Sequence, residues 1–133
     1  MPVPAPAFLL DSSVCIPVLR RRTTLEGLPD PAEAAISAIV AAELWSGIEK
    51  GHDLPAHRLR LEAFLELFPV LEFTHAAARH YGEIRAELER KGKPIGPLDL
   101  LIAAHARSLG ATLVTANAGE FRRVKGLKVL SWR

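Results

Sequence analysis

Five oxygen-bearing side chains fall just beyond short apolar runs. Asp11 directly follows Phe8-Leu9-Leu10, and Asn117 and Glu120 follow the run that closes at Thr115. Glu43 lies one to two turns into the helix expected after Ala35-Ile36-Ser37. Asp99 lies in the first turn of a helix opened by Pro97. In an open α/β sheet, ligands bind outside the carboxyl ends of the strands, so these groups reach toward one edge from separate segments. Clustered carboxylates repel one another and resist ionising together. A divalent cation removes that conflict, and hard oxygen donors suit Mg²⁺ or Mn²⁺. Each acid also has an ordinary role: Asp11 as a helix cap, Asp99 as a charge favoured at a helix N-terminus, Glu43 as a solvated helix residue. Spacing by itself does not show that they converge.

Other chemistries find less support. The histidines at 52, 57, 75, 80 and 105 have no zinc-like spacing, and His75 and His80 read as ordinary helix residues. Gly96-Pro97-Leu98-Asp99 does not have the shape of a phosphate-cradling glycine loop. No serine sits in a nucleophile elbow. The single cysteine, Cys15, is flanked by Val14 and Ile16 and reads as a small core residue. One thiol makes no internal disulfide, which suits a reducing compartment.

The elements that must position the acids follow from periodicity. Phe8–Leu10 reads as a strand, and Ser12 and Ser13 offer a cap for a helix through Leu19. Ala35–Ser37 reads as a second strand. Ala41, Leu44, Trp45 and Ile48 then repeat at helical spacing up to a stop at Gly51. Leu61, Phe64, Leu65 and Phe68 mark a third helix closed by Pro69, and 70–73 alternates like a strand. Ala77, Tyr81, Ile84 and Leu88 predict a helix ending at Gly92, and Pro97 opens one that runs to Leu109 before Gly110. Thr112–Thr115 and Lys128–Leu130 complete the strands. Strands alternating with helices predict an α/β fold, a three-layer sandwich with a mainly parallel sheet. The 133 residues, 49% of them hydrophobic, suit one domain spanning 1–133. Met1–Ala7 carries no Lys or Arg before its apolar residues, unlike a signal peptide, and no apolar run approaches the roughly 18 residues that span a bilayer. A cytoplasmic protein is expected.

Five segments together carry a family resemblance. They are Phe8-Leu9-Leu10-Asp11-Ser12-Ser13, then 36–44 (Ile-Ser-Ala-Ile-Val-Ala-Ala-Glu-Leu), then Ile84-Arg85-Ala86-Glu87-Leu88. The fourth is 96–106, from Gly96-Pro97-Leu98-Asp99 to Ala106, and the last is 113–121, from Leu113-Val114-Thr115 to Glu120-Phe121. In this order, over about Phe8 to Trp132, they resemble PIN-domain ribonucleases of the VapC toxin type. The resemblance implies a PIN-like fold and an acidic pocket in which Asp11, Glu43 and Asp99 bind Mg²⁺ or Mn²⁺. Many relatives carry a fourth acid where this chain has Asn117, which bears on a second metal position. One branch also has Asn there, followed by a Glu-Phe pair like Glu120-Phe121, and is similar to toxins that cut initiator tRNA in the anticodon stem-loop.

The implied reaction is hydrolysis of an RNA phosphodiester, with Ser37 and Thr115 as candidates for orienting the metal ligands by hydrogen bonds. Asn117 and Glu120 are further candidates for the metal site. Arg122, Arg123, Lys125 and Lys128 form a basic tract beside Asn117 that suits RNA phosphates, and Arg20-Arg21-Arg22 is a second; both also read as solvated surface. The net charge of +2 is only a mild basic bias, and 6% aromatic residues leave little for base stacking. The family resemblance further implies a homodimer inhibited by a VapB-type antitoxin. The second helix (Leu44, Trp45, Ile48) and the third (Leu61, Phe64, Leu65, Phe68) are candidates for its groove. Two other classes stay open: a dehalogenase-like or receiver-like phosphoryl enzyme, opposed by Ser13 where a second acid belongs, and a non-catalytic RNA-binding or partner-binding module.

Overall fold

A computed structural model describes residues 5–20 and 25–132. Arg21 and Arg22 of the second basic run, and residues 1–4 of the leading segment, lie outside the described residues. Five strands form one sheet: β1 (Phe8–Leu10), β2 (Ala34–Ser37), β3 (Val70–Leu71), β4 (Thr112–Thr115) and β5 (Lys128–Ser131). Their spatial order is β3-β2-β1-β4-β5, and every adjacent pair runs parallel. The expected mainly parallel sheet is therefore parallel at each described pairing. Among the described residues six α-helices flank it: α1 (Ser12–Leu19), α2 (Ala38–Glu49), α3 (Leu54–Leu67), α4 (His75–Arg90), α5 (Pro97–Leu109) and α6 (Ala118–Phe121). Among the described residues no helix is long and apolar enough to cross a membrane.

Burial explains which strands read clearly. Leu9, Leu10, Ala34, Ala35, Ile36, Leu113 and Val114 are buried, as expected for central parallel strands covered on both faces. β3 and β5 lie at the edges and are largely exposed. The alternation at 70–73 predicts a longer strand than the one present. Ser37, the last residue of β2, pairs with Leu71, so Glu72 and Phe73 have no strand to bond. Phe73 instead packs against His105 with the two rings nearly perpendicular and their centroids 5.6 Å apart. α1, α2 and α3 pack on one another, and α4 packs along α5.

The helix ends follow local chemistry. Pro97 sits in the first turn of α5, and Gly110 closes it at φ 66°, a left-handed conformation that costs glycine least. Of the residues considered as the cap of α1, the structure has the acid in that place. Asp11, not Ser12 or Ser13, is the N-cap, and its carboxylate accepts the Ser12 N–H.

Strand order fixes where a site can form. β1 leads to β2 on one side of the sheet, whereas β4 lies on its other side. Connections leaving the ends of β1 and β4 therefore part in opposite directions. The crevice between them lies outside the carboxyl ends of the strands, where open α/β sheets bind ligands.

Candidate acidic site

Asp11 leaves the end of β1 and enters this crevice almost fully buried, at 3% exposure. Its position is set by three donors. The Ser12 N–H donates to Oδ1 at 2.9 Å, and the hydroxyls of Ser13 and Thr115 donate to Oδ2 at 2.8 and 2.7 Å. Each hydroxyl is itself held by a backbone N–H. Ala116 N donates to Ser13 Oγ at 3.0 Å, and Asn117 N donates to Thr115 Oγ1 at 2.9 Å. The Asp11 N–H in turn donates to the Val114 carbonyl at 3.0 Å. The ends of β1 and β4 are thus bound to each other through the carboxylate. Thr115, a candidate for orienting a metal ligand, thus bonds Asp11 directly. Ser13 does the same and was not singled out by the sequence, because the groups it joins are about a hundred positions apart.

The other acids come from two helices. Glu43 lies in the second turn of α2, and Asp99 in the first turn of α5; both are half-buried. Burial raises the pKa of Glu43, the charge of Asp11 adds to the rise, and a hydrogen bond with Ser12 opposes it. Asp99 is pushed up to about 6 by burial first, then by the charges of Asp11, Glu120 and Glu43 and by a hydrogen bond with Glu120. Asp99 thus feels the charges of Asp11, Glu43 and Glu120 together. Glu43 Oε1 is buried with no hydrogen-bond partner. Cys15, buried below, has its thiol pKa raised by burial and by Asp11 and Glu43, which leaves it inert as a nucleophile.

Asn117 and Glu120 are bound to each other. Asn117 Nδ2 donates to Glu120 Oε2 at 3.0 Å, while Gly96 N donates to Glu120 Oε1 at 3.0 Å. The bond from Gly96 is the chief reason the pKa of Glu120 is lowered. Gly96 is the N-cap of α5, so Glu120 ties the turn after β4 to the helix that carries Asp99. Glu120 thus links neutral Asn117 to the N-terminus of α5, and its charge acts on Asp99.

Two expectations change. The hydroxyl of Ser37 is committed to Ile39 N at 3.1 Å and to His105 Nδ1 at 2.8 Å, not to the acids. Ser37 closes β2 and caps α2, so its reach is toward the sheet and α5. The basic tract is also divided. Arg122 is exposed, and Arg123 donates to the Pro94 carbonyl at 3.3 Å, near the acid edge. The Lys125 carbonyl accepts from Arg107 in the last turn of α5, and Lys128 Nζ donates to Gly110 O at 3.3 Å. Those two lysines lie toward the opposite edge, because β5 runs parallel to β4 and begins there.

The donor set suits a hard divalent cation: carboxylate oxygens with one buried oxygen unpartnered, and burial that discourages uncompensated charge. As the side chains stand, no three Asp, Glu, His or Cys groups among the described residues close around a single point. Like charges without a counter-ion stay apart, so an ion would have to draw them together.

Residues 8–127 match the PIN domain. Over 94% of its length the chain is 41% identical to the tRNA(fMet)-specific endonuclease VapC of Shigella flexneri, covering 97% of that protein. It is 38% identical to Ribonuclease VapC2 of Rickettsia felis, again over 94% of this chain and 97% of the relative. Among solved structures, DNA-bound VapBC from Salmonella typhimurium superposes with a TM-score of 0.89 at 35% identity, covering 96% of this chain and 99% of that one. VapBC2 from Rickettsia felis, bound to a promoter DNA fragment, gives 0.83 at 34% identity, covering 95% and 98%.

Proposed function

The chain belongs to the PIN-domain family, among the VapC-type ribonucleases, and from that premise we propose that it is a metal-dependent endoribonuclease toxin cutting structured RNA. The observation that carries this reading is the set of carboxylates that buried Asp11 and half-buried Glu43 and Asp99 bring to the ends of β1, α2 and α5, where burial first, and then the charges of Asp11, Glu120 and Glu43, push the Asp99 carboxyl up to about 6. A packed core does not gather unpaired acids from three segments, because the desolvation is costly. A site that must take up a cation does.

Asp11, Glu43 and Asp99 would hold Mg²⁺ or Mn²⁺, with Glu120 near enough to add charge. When bound, such an ion lowers the pKa of a coordinated water and neutralises phosphoryl oxygens. The chain's own groups set the conditions. Ser13 and Thr115 keep Asp11 aimed, so its carboxylate needs little reorganisation on loading. Glu43 offers an oxygen committed to nothing else. Asp99 must release its proton before it can bind a cation. Arg122 and Arg123, exposed after α6, are placed to contact RNA phosphates, whereas Lys125 is not.

The substrate we propose is initiator tRNA, cut in the anticodon stem-loop. The support is the 41% identity to an endonuclease named for tRNA(fMet), together with the Asn117, Glu120 and Phe121 arrangement. The partner we propose is a VapB-type antitoxin, since the superposed structures are VapBC complexes. A groove of about 210 Å³ between α1, α2 and α3, lined by Ile16, Leu44, Ile48 and Arg60, reaches Glu43 and suits an inhibitory segment. Of the apolar residues considered for that contact, Leu44, Leu61, Phe64 and Phe68 are buried in the core, which leaves Trp45, Ile48 and Leu65 partly accessible. Sequencing RNA ends after brief expression in cells tests the reading. One dominant new end in the initiator tRNA anticodon loop is expected; ends scattered over all transcripts, or none, would refute it.

A further inference from the structure

His105 is the one buried imidazole among the described residues, at 1% exposure on the otherwise apolar face of α5. Its neighbours Ile102, Ala103, Ala104 and Ala106 are buried as well. Burial lowers its pKa, so the ring is neutral. An aliphatic side chain would pack there with no polar cost, yet this ring keeps Nε2 buried and unpartnered. What it gains is one bond. His105 Nδ1 lies 2.8 Å from Ser37 Oγ, and that hydroxyl also accepts the Ile39 N–H. The bond forms in either neutral tautomer, because a hydroxyl both donates and accepts.

Ser37 is the N-cap of α2, the helix that carries Glu43; His105 lies on α5, the helix that carries Asp99. The Ser37–His105 bond is therefore a buried cross-tie between the two acid-bearing helices. The Glu43 carboxylate takes a hydrogen bond from Ser12 while its Oε1 stays unpartnered, so where that oxygen sits depends on where α2 places the residue. We propose that His105 is a positioning residue: acting through Ser37, it fixes α2 against α5 and thereby sets the placement of Glu43 relative to Asp99. This rests on the metal-site reading above, and it assigns His105 no contact with metal or RNA.

Calorimetric titration with Mn²⁺ of the full chain and three variants tests it, alongside thermal melting in chelator. Partners that orient metal ligands are worth about 10–100-fold in affinity, so His105→Leu should weaken Mn²⁺ binding at least about tenfold. Its melting midpoint in chelator should change little, because the core stays filled. His105→Asn returns a polar group near the Nδ1 position and should recover most of the affinity. His105→Gln reaches the Nε2 position instead and should not. In cleavage assays His105→Leu should need more metal for half-maximal rate while keeping the rate at saturation. Wild-type affinity in His105→Leu overturns the proposal. If His105→Leu fails to fold, the Asn and Gln variants decide, and equal affinities in that pair overturn it. Wild-type protein that binds no Mn²⁺ would instead remove the metal-site reading on which the proposal stands.

Discussion

On Asp99 a proton and a cation compete for the same carboxyl. Its pKa in the folded chain is about 6, against an ordinary 3.8, and the first cause is burial. A carboxyl whose folded pKa is raised stabilises the fold fully below the unfolded value. That contribution is lost as pH rises through the folded value, here from about pH 4 to about 6. Asp99→Asn should therefore raise the melting midpoint in chelator at pH 7.5 and change it little at pH 3.5. The same substitution removes a charged ligand, so RNA cleavage should fall at least about a hundredfold, a loss of roughly 2.7 kcal/mol of transition-state stabilisation. A variant that melts no higher yet cuts normally would contradict both roles. Glu120 makes a finer case. It is tied to Gly96 and Asn117, so Glu120→Gln should raise the metal concentration for half-maximal cleavage with little loss at saturation. An unchanged metal dependence would leave Asp11, Glu43 and Asp99 alone.

At the scale of elements, the site depends on how β1 and β4 are joined. Thr115 and Ser13 each receive a backbone N–H and pass a hydroxyl hydrogen to Asp11. Thr115→Val keeps shape and burial but strands the Asn117 N–H and removes one donor. It should cost about 1–3 kcal/mol in stability, read from denaturant melts, and weaken metal binding as well. A neutral outcome in both would mean the junction is not held this way. Much of the element layout was readable beforehand. Pro97 and Gly110 bracket α5, and the apolar run at 112–115 matches β4 to the residue. Those signals are local, set by residues within a turn of one another. The strand at 70–73 was over-read because strand length depends on a partner, and β2 ends at Ser37. Ser13, and the pairing of Ser37 with His105, were missed for the same reason, since each joins residues far apart in the chain. A lone His inside the apolar run 100–106 was the one available sign. The acids themselves were legible as types and positions, while their meeting was not, because spacing carries no strand order.

For the whole molecule, the α1–α2–α3 groove proposed for an inhibitory segment reaches Glu43, one of the proposed metal ligands. Ile48→Glu places a charge in that groove without touching Asp11 or Asp99. It should weaken neutralisation by the proposed VapB-type antitoxin at least about tenfold, the scale of an interface hot spot, and leave isolated RNA cleavage intact. Growth rescue that is undiminished in this variant would place the partner elsewhere. The central claim is that RNA hydrolysis runs through a cation held by these acids. Its most direct test is incubation of purified initiator tRNA with the purified chain in Mg²⁺, in excess chelator, and with Asp11→Asn in Mg²⁺. The account predicts a discrete anticodon-loop cut in the first case, none in the other two, and recovery of the chelated sample when Mg²⁺ or Mn²⁺ is returned. Cleavage that persists in chelator, or at the wild-type rate with Asp11→Asn, would contradict it.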